Sequence, residues 1–316
     1  MHTNARNYLV IVAMAFAVPA RAGVLHDLAS DVAAKLDAIR AAHAVPPAPV
    51  PVAVKWKPIR IASEELGAPL VALVAGDLRG DGRDELYAVT TREVVAFGFA
   101  AHRLKELGRV TFVGEPAVPA SRDPVGAAVI AGRVLFASSS AYAHGVKVSW
   151  HGKQLVAELG DTGMELCAGE HAVLVPGRDY FGDDKNGYYG VRCRELADHA
   201  GTPQRARALL GMTGKLEITV DAAHYTFPKV GTAFELADLD RDGKPELVYA
   251  SASAPGEPDE LRAVTLGEDE NKTKWKKAFT AGGVAGIAVG DFDGAPAAIA
   301  AVRLVGSTRV DVWRLN

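Results

Sequence analysis

Short apolar runs alternate with turn-forming residues along most of this chain. From residue 52 onwards, runs such as 94–99, 261–266 and 310–314 are bounded by glycine, aspartate and proline. Runs of β-branched and aromatic residues with a two-residue alternation are typical of strands, and helical periodicity is scarce in this part of the chain. The pattern therefore predicts an all-β domain over residues 52–316.

The spacing of acidic turns indicates an internal repeat. Asp238 and Asp291 lie 53 residues apart, and Asp77 precedes Asp238 by close to three such steps. Residues 127–137 form a strand–turn–strand pattern without carboxylates near one expected copy, and the acidic turn 182–187 lies near the other. Units of this length are long enough for four strands, so the repeat predicts a β-propeller of five four-stranded blades.

The last unit ends early. The chain stops at Asn316, just after the third expected strand of that unit. A blade without its outer strand would leave an open sheet edge, and residues 54–61, which precede the first unit, have a strand pattern. We expect this N-terminal strand to pair with the final unit and to close the last blade.

The first 51 residues have a different pattern. Residues 1–22 combine a positive start, an apolar run and a small-x-small site, which predicts a cleaved secretory signal peptide; an uncleaved membrane anchor is the alternative. In residues 23–51, apolar side chains at three- and four-residue steps over 25–43 predict an amphipathic helix, followed by a proline-rich linker. The helix either docks on its own domain or binds a partner.

Composition and charge narrow the function classes. The 316 residues are 49% hydrophobic with 32 glycines and a formal charge of −3, so a globular chain is expected and a general nucleic-acid binder is not. The predicted signal peptide indicates export, and no later stretch has the pattern of a membrane span. We therefore expect a periplasmic, outer-surface or secreted protein. In an exported chain, Cys167 and Cys193 favour a disulfide bond, with two separate buried thiols as the alternative.

The most acidic turn has the spacing of a cation site. Carboxylates occupy positions 1, 3, 5 and 9, glycine occupies position 6, and the carbonyl of position 7 offers a further oxygen; the residues are Asp238, Asp240, Asp242, Gly243, Lys244 and Glu246. Ca²⁺ takes six to eight oxygen ligands, and four clustered negative charges would repel one another without a cation. An EF-hand needs glutamate at position 12, where Tyr249 stands, so that motif is excluded.

Two other turns carry part of the same pattern. In the first, Asp77, Asp81 and Glu85 match, Arg83 offers the carbonyl of position 7, and Arg79 replaces the acid of position 3. We expect weaker Ca²⁺ binding there, with Arg79 as an internal cation as the alternative. The other turn keeps Asp291 and Asp293 but continues into alanine and proline, which predicts a structural turn.

These loops and their flanking apolar runs resemble the strand–loop–strand unit of FG-GAP/VCBS repeats, which are found in integrin-α-like β-propellers. The resemblance covers residues 52–316 and is strongest at 76–86 and 236–248. It implies a calcium-stabilised propeller that acts as a binding or assembly module. The family does not fix the ligand, and we expect a protein or a glycan. Integrin-α heads usually have seven blades, so a five-unit chain departs from that pattern.

The sequence contains no nucleophile elbow, phosphate loop or histidine pair with metal-ligand spacing. It therefore favours a binding or assembly module over an enzyme. The alternatives are a polysaccharide-acting hydrolase or lyase and a structural subunit that docks through its N-terminal helix. The loop 178–189 is aromatic and polar, which predicts ligand binding by Tyr180, Phe181, Tyr188 and Tyr189; an insertion held by the disulfide, with no ligand, is the alternative.

Overall fold

The computed structural model describes most of the chain beyond residue 49: residues 50–100, 103–118, 126–160, 163–167, 170–173, 188–198, 200–211, 213–252, 257–267, 271–279, 284, 286–292, 298–302 and 308–315. For residues 131, 163–195, 197, 298–302 and 315 within these ranges, only the backbone is described. The predicted signal peptide, the helix at 25–43, the turn at 182–187 and Asp293 lie outside the described residues. No helix occurs in the described ranges, and hence none there could span a membrane.

The described regular structure consists of 22 strands: β1 (Pro58–Glu65), β2 (Leu70–Gly76), β3 (Glu85–Thr90), β4 (Glu93–Ala100), β5 (Arg103–Thr111), β6 (Gly126–Ala131), β7 (Val134–Ser139), β8 (Gly145–His151), β9 (Gln154–Gly160), β10 (Gly163–Cys167), β11 (Glu170–Val173), β12 (Tyr188–Ala197), β13 (Pro203–Gly211), β14 (Leu216–Val220), β15 (Ala223–Phe227), β16 (Val230–Ala237), β17 (Glu246–Ser251), β18 (Asp259–Thr265), β19 (Lys272–Phe279), β20 (Gly286–Gly290), β21 (Ala298–Val302) and β22 (Arg309–Leu315).

Antiparallel pairing sorts these strands into sheets. Within the described residues, sheet 1 is β2–β5, sheet 2 is β6–β9, sheet 3 is β12–β15, sheet 4 is β16–β19, and sheet 5 has the order β1-β22-β21-β20. Strands β10 and β11 form a separate two-stranded sheet between sheets 2 and 3 in the chain. The strand–turn–strand pattern expected near residue 131 is present as β6 and β7, which confirms that part of the repeat.

The apolar core lies between neighbouring sheets. Separate buried clusters join sheet 2 to sheet 1, sheet 1 to sheet 5, sheet 5 to sheet 4, and sheet 4 to sheet 3. Strand β3 is buried at every position because it has a sheet on each face, whereas β5, at the outer edge of sheet 1, is largely exposed. Sheets packed face to face in sequence order form a β-propeller, which confirms the predicted fold class.

The number of blades in the complete ring stays a prediction. The four packed interfaces run from sheet 2 through sheets 1, 5 and 4 to sheet 3. Between sheets 2 and 3 the chain contains the two-stranded sheet β10–β11 and residues outside the described ranges. The predicted count of five blades therefore depends on the residues between sheets 2 and 3.

The N-terminal strand pairs with the last strand of the chain. Strand β1 runs antiparallel to β22, from Pro58 opposite Leu315 to Glu65 opposite Arg309, and forms the outer strand of sheet 5. The predicted pairing is therefore confirmed, but the predicted bounds of 54–61 were wrong by four residues. Trp56 has a φ of 54°, a left-handed conformation that interrupts a strand, so regular pairing begins only after it.

The predicted disulfide stays a prediction. The backbones of Cys167 and Cys193 lie in β10 and β12, two strands that contact each other. The side chains of both cysteines are outside the described set.

Candidate metal sites

Two acidic loops occupy equivalent places in their sheets. Loop 1, residues 77–85, joins β2 to β3 in sheet 1, and loop 2, residues 238–246, joins β16 to β17 in sheet 4. In each loop the residue at position 2 is a buried leucine, and the glutamate at position 9 is the buried first residue of the next strand. The apolar anchor and the strand start therefore fix both ends of each loop.

The aspartate at position 1 holds each turn together. In loop 2, Asp238 Oδ1 accepts a hydrogen bond from the amide of Asp242 at 3.1 Å, and Oδ2 accepts one from the amide of Gly243 at 3.0 Å. In loop 1, Asp77 accepts from the amides of Gly80, Asp81 and Gly82 at 2.6–3.1 Å. Gly82 and Gly243 have φ values of 83° and 81°, which explains glycine at position 6.

The buried glutamates complete the two clusters. Glu246 Oε2 accepts a hydrogen bond from the amide of Leu239 at 2.9 Å, and Glu85 Oε2 accepts the equivalent bond from Leu78 at 3.1 Å. One carboxylate oxygen from each of three acids then lies within 4.8 Å of the others: Asp238, Asp240 and Glu246 in loop 2, and Asp77, Asp81 and Glu85 in loop 1. Each loop thus presents three converging carboxylates.

The structure brings together three of the four acids predicted for loop 2. Asp242 is outside the cluster, and its Oδ1 accepts a hydrogen bond from the amide of Lys244 at 2.8 Å. In loop 1, Asp81 accepts the equivalent bond from the amide of Arg83 at 3.2 Å and still belongs to its cluster. Lys244 and Arg83, whose carbonyls were predicted as ligands, are both exposed at position 7.

Two arginines accompany the carboxylates of loop 1. Arg79 Nη2 lies 3.6 Å from Asp81 Oδ2, and Arg79 Nε lies 3.9 Å from Glu85 Oε1. Burial acts to raise the pKa of Asp77, but the three amide hydrogen bonds and the charge of Arg133, from the turn between β6 and β7, hold it below its ordinary value. Burial, followed by the charge of Asp81, raises the pKa of Glu85 despite its hydrogen bonds.

Side chains of sheets 1 and 2 contact the acidic cluster of loop 1. Tyr87 on β3 donates a hydrogen bond to Glu85 Oε2 at 2.9 Å, and the indole of Trp150 on β8 donates to the Tyr87 oxygen at 2.8 Å. The guanidinium of Arg79 lies 5.9 Å from the Trp150 ring centroid, within reach of a cation–π contact. Arg79 is therefore positioned both by its own loop and by sheet 2.

Loop 2 has less positive charge within its cluster. Burial and then the charges of Asp242 and Asp240 raise the pKa of Asp238 to about 6, although amide hydrogen bonds oppose the shift. Burial is also the main cause that raises the pKa of Glu246 to about 8. Burial and Asp242 raise the pKa of Asp240, while Lys274, whose Nζ lies 3.9 Å from Asp240 Oδ2, acts in the opposite direction. Raised pKa values show that ionised carboxylates are unfavourable there without a cation.

The residues of loop 2 fit a hard metal ion. Its converging donors are all carboxylate oxygens, the type that Ca²⁺ and Mg²⁺ prefer, and no nitrogen or sulfur ligand belongs to the cluster. Glu246 also accepts a hydrogen bond from the Thr265 hydroxyl at 2.7 Å, which orients its carboxylate. The second oxygen of each acid, backbone carbonyls and water would supply the remaining coordination.

Contacts from outside the motif tie the acidic turns together. The amide of Asp291, after β20, donates to Asp84 Oδ2 at 2.7 Å, and Asp291 Oδ2 lies 3.5 Å from Arg241 Nη2 of loop 2. The predicted structural turn at Asp291 thus links loops 1 and 2. The amide of Val52 donates to the Asp240 carbonyl at 2.7 Å, so the segment before β1 contacts loop 2 as well.

The predicted ligand-binding tyrosines are only partly placed. The backbones of Tyr188 and Tyr189 lie at the start of β12, while Tyr180 and Phe181 are outside the described residues. Lys274, Arg133, Tyr87 and Trp150 were missed by sequence reasoning. Lys274, Arg133 and Trp150 come from other strands or turns, and no local spacing connects them to the acidic loops. Tyr87 lies two positions after Glu85 on β3, on the same face of the strand, and this spacing was a local signal.

Comparisons with protein-family models and with curated proteins find no match to this chain. The likeness to FG-GAP/VCBS repeats therefore rests on the acidic loops and on the propeller architecture.

Proposed function

We propose that this chain is an exported five-bladed propeller of the FG-GAP/VCBS type that binds Ca²⁺ in loop 2. In this proposal the bound ion stabilises a rigid scaffold that works as a protein- or glycan-binding or assembly module. The convergence of Asp238, Asp240 and Glu246, with oxygens within 4.8 Å of one another and raised pKa values, is the observation that carries it.

The donor set favours Ca²⁺ over other common ions. Zn²⁺ usually takes nitrogen and sulfur ligands, and the loop 2 cluster offers oxygen alone. Mg²⁺ requires near-ideal octahedral geometry and keeps several waters, whereas Ca²⁺ accepts irregular sets of six to eight oxygens. A loop that combines carboxylates, a backbone carbonyl and water suits the irregular coordination of Ca²⁺.

A bound ion would stabilise more than its own loop. Asp240 receives the Val52 amide, and Arg241 contacts Asp291, which is bonded to Asp84. An ion that neutralises the carboxylates of loop 2 would therefore also stabilise these contacts, which extend to sheets 5 and 1. Such a surface is suited to presenting ligand-binding loops on a fixed frame.

Chemical unfolding with and without Ca²⁺ tests the metal half of the proposal. At a hundredfold excess over its Kd, an ion that binds only the native state adds about 2.7 kcal/mol to the free energy of unfolding. We expect that gain in the wild type, its loss in Asp240→Ala, and its retention in Glu158→Gln, which neutralises an exposed acid on β9. Equal unfolding curves in Ca²⁺ and in EDTA would rule the site out.

The binding half requires a separate test. Glycan arrays and pull-downs with wild type and a Tyr188→Ala/Tyr189→Ala variant would identify a partner and its dependence on the aromatic loop. A partner retained equally by both proteins would remove those tyrosines from the binding surface. Turnover of a polysaccharide would replace the proposal with the hydrolase or lyase alternative.

A further inference from the structure

A polar cavity lies at the outer seam between sheets 4 and 5, on elements other than the acidic loops. Its volume is about 340 Å³, within the range of small-ligand sites. One wall comes from β19 and the other from β1, and β22 forms the floor. The residues that matter are Pro58, Arg60, Lys277, Phe279, Asp311 and Trp313.

A β-bulge aims Arg60 into this cavity. In the β1–β22 ladder, Arg60 is opposite Trp313 and Ser63 is opposite Asp311, with the register shift at Ile61 between them. Residues directly opposite each other share a sheet face, as do residues two apart on one strand. Arg60 and Ser63, three positions apart, therefore reach the same face only because of the bulge, a device that often re-aims side chains at sites.

A buried carboxylate lies beside Arg60. The Asp311 side chain is 1% exposed, and its Oδ1 accepts hydrogen bonds from the Ser63 hydroxyl at 2.7 Å and from Arg309 Nε at 3.2 Å. Arg60 Nη1 lies 3.9 Å from the same oxygen, yet the Arg60 side chain remains 52% exposed. The distance of 3.9 Å permits an ion pair but is too long for a hydrogen bond, so Asp311 attracts the guanidinium while its N–H groups stay open to the cavity.

A second cation faces the cavity from the opposite wall. Lys277 Nζ lies 5.7 Å from the Phe279 ring centroid, and Phe279 packs against Trp313 with centroids 6.1 Å apart. These contacts place the ammonium against an aromatic wall of the cavity. The cavity therefore combines a guanidinium and an ammonium, while the charge of Asp311 in its lining is compensated by Arg309.

We propose that this cavity binds the carboxylate of a sugar acid, one hexuronic acid unit of an acidic glycan. A guanidinium matches a planar carboxylate with two parallel hydrogen bonds, and Lys277 adds a point charge. The volume suits one sugar ring, and the open side keeps its hydroxyl groups hydrated. This inference rests on the proposed binding role and narrows it to acidic glycans.

Titration of the full chain with sodium glucuronate, followed by calorimetry or ligand-observed NMR, tests the proposal. We expect saturable binding that glucose does not reproduce. Arg60→Ala and Lys277→Ala should each weaken it by about tenfold, as for one lost charge-assisted hydrogen bond. Lys276→Ala, which removes an equal charge from the neighbouring exposed position of β19, should change it by less than about twofold.

Several results would overturn the proposal. These are no saturable glucuronate binding, equal binding of glucose, or an equal loss in Lys276→Ala. N-acetylglycine that binds as tightly as glucuronate would assign the cavity to peptide carboxylates instead. Binding that disappears in EDTA, at a temperature where the protein remains folded, would mean that calcium bridges the sugar. The unfolding response to Ca²⁺ is measured without sugar, so failure here is distinguishable from failure of the metal site.

Discussion

Loops 1 and 2 have the same backbone plan but different charge balance. Each has a turn-forming aspartate at position 1, a left-handed glycine at position 6 and a buried glutamate at position 9. In loop 1, position 3 is Arg79, which contacts two carboxylates of the cluster, whereas in loop 2 it is a further acid, Asp240. The same turn therefore carries a side-chain cation at position 3 in loop 1 and a carboxylate there in loop 2.

The pKa values at position 1 express this difference. The pKa of Asp77 is below its ordinary value, and that of Asp238 is raised to about 6. Burial is the largest cause that raises the pKa of Asp238, and the charges of Asp242 and Asp240 add to it, whereas at Asp77 the amide hydrogen bonds and the charge of Arg133 outweigh burial. The motif fixes the turn, while the burial and the neighbouring charges of the aspartate at position 1 differ between the two loops.

Converting loop 1 into a copy of loop 2 should have the largest effect. Arg79→Asp replaces the internal cation with an acid, and we expect a loss of about 2 kcal/mol in the free energy of unfolding in EDTA, since buried Glu85 then lacks a counter-charge. Excess Ca²⁺ should restore most of that loss. Urea unfolding of wild type, Arg79→Asp and the charge-preserving Arg79→Lys measures these free energies. If the free energy of unfolding of Arg79→Asp does not change with Ca²⁺, the proposed difference between the two loops is wrong.

Removing the cation beside each loop should have a smaller effect. Arg79→Ala should lower the free energy of unfolding by about 1 kcal/mol, with or without Ca²⁺, because it removes an exposed ion pair with Asp81, a longer one with buried Glu85 and one cation–π contact. Lys274→Ala should lower it by about 0.5 kcal/mol in EDTA and by less in Ca²⁺, since the ion then neutralises Asp240. Equal responses of both variants to Ca²⁺ would show that Arg79 does not replace a metal.

The pH dependence of stability should separate the two aspartates of position 1. In calcium-free protein, Asp238 has a folded pKa of about 6 against an ordinary 3.8, so the native state binds more protons between those values. Stability from this group therefore falls as pH rises through that window. Asp238→Asn should flatten the fall. Asp77→Asn should leave the fall unchanged, because the pKa of Asp77 is lowered and this group changes the stability only below pH 3.8.

Unfolding curves in EDTA between about pH 4.5 and about pH 7 measure these slopes. Glu158→Gln controls for the loss of one exposed carboxylate. A flatter slope in Asp77→Asn than in Asp238→Asn would reverse the assignment of the two loops.

Alternation and turn spacing predicted the all-β propeller because strands and turns have a local pattern. The incomplete last unit predicted that an N-terminal strand would pair with it. The strand start was misplaced because the left-handed backbone at Trp56 has no mark in the sequence. Arg79 was visible as a departure from the motif. Lys274 and Arg133 were not, because strand pairing and sheet packing bring them to the loops from 28 or more residues away. Asp242 was assigned to the cluster by spacing alone.

Calcium stoichiometry tests the central claim most directly. Equilibrium dialysis or calorimetry of the wild type should give one bound Ca²⁺ per chain. Asp238→Asn should abolish that binding, and Asp77→Asn, its counterpart in loop 1, should retain it. Three results would contradict the assignment of the metal site to loop 2. The wild type could bind two equivalent ions, or it could bind none. The third result is a bound ion that is retained in Asp238→Asn and lost in Asp77→Asn.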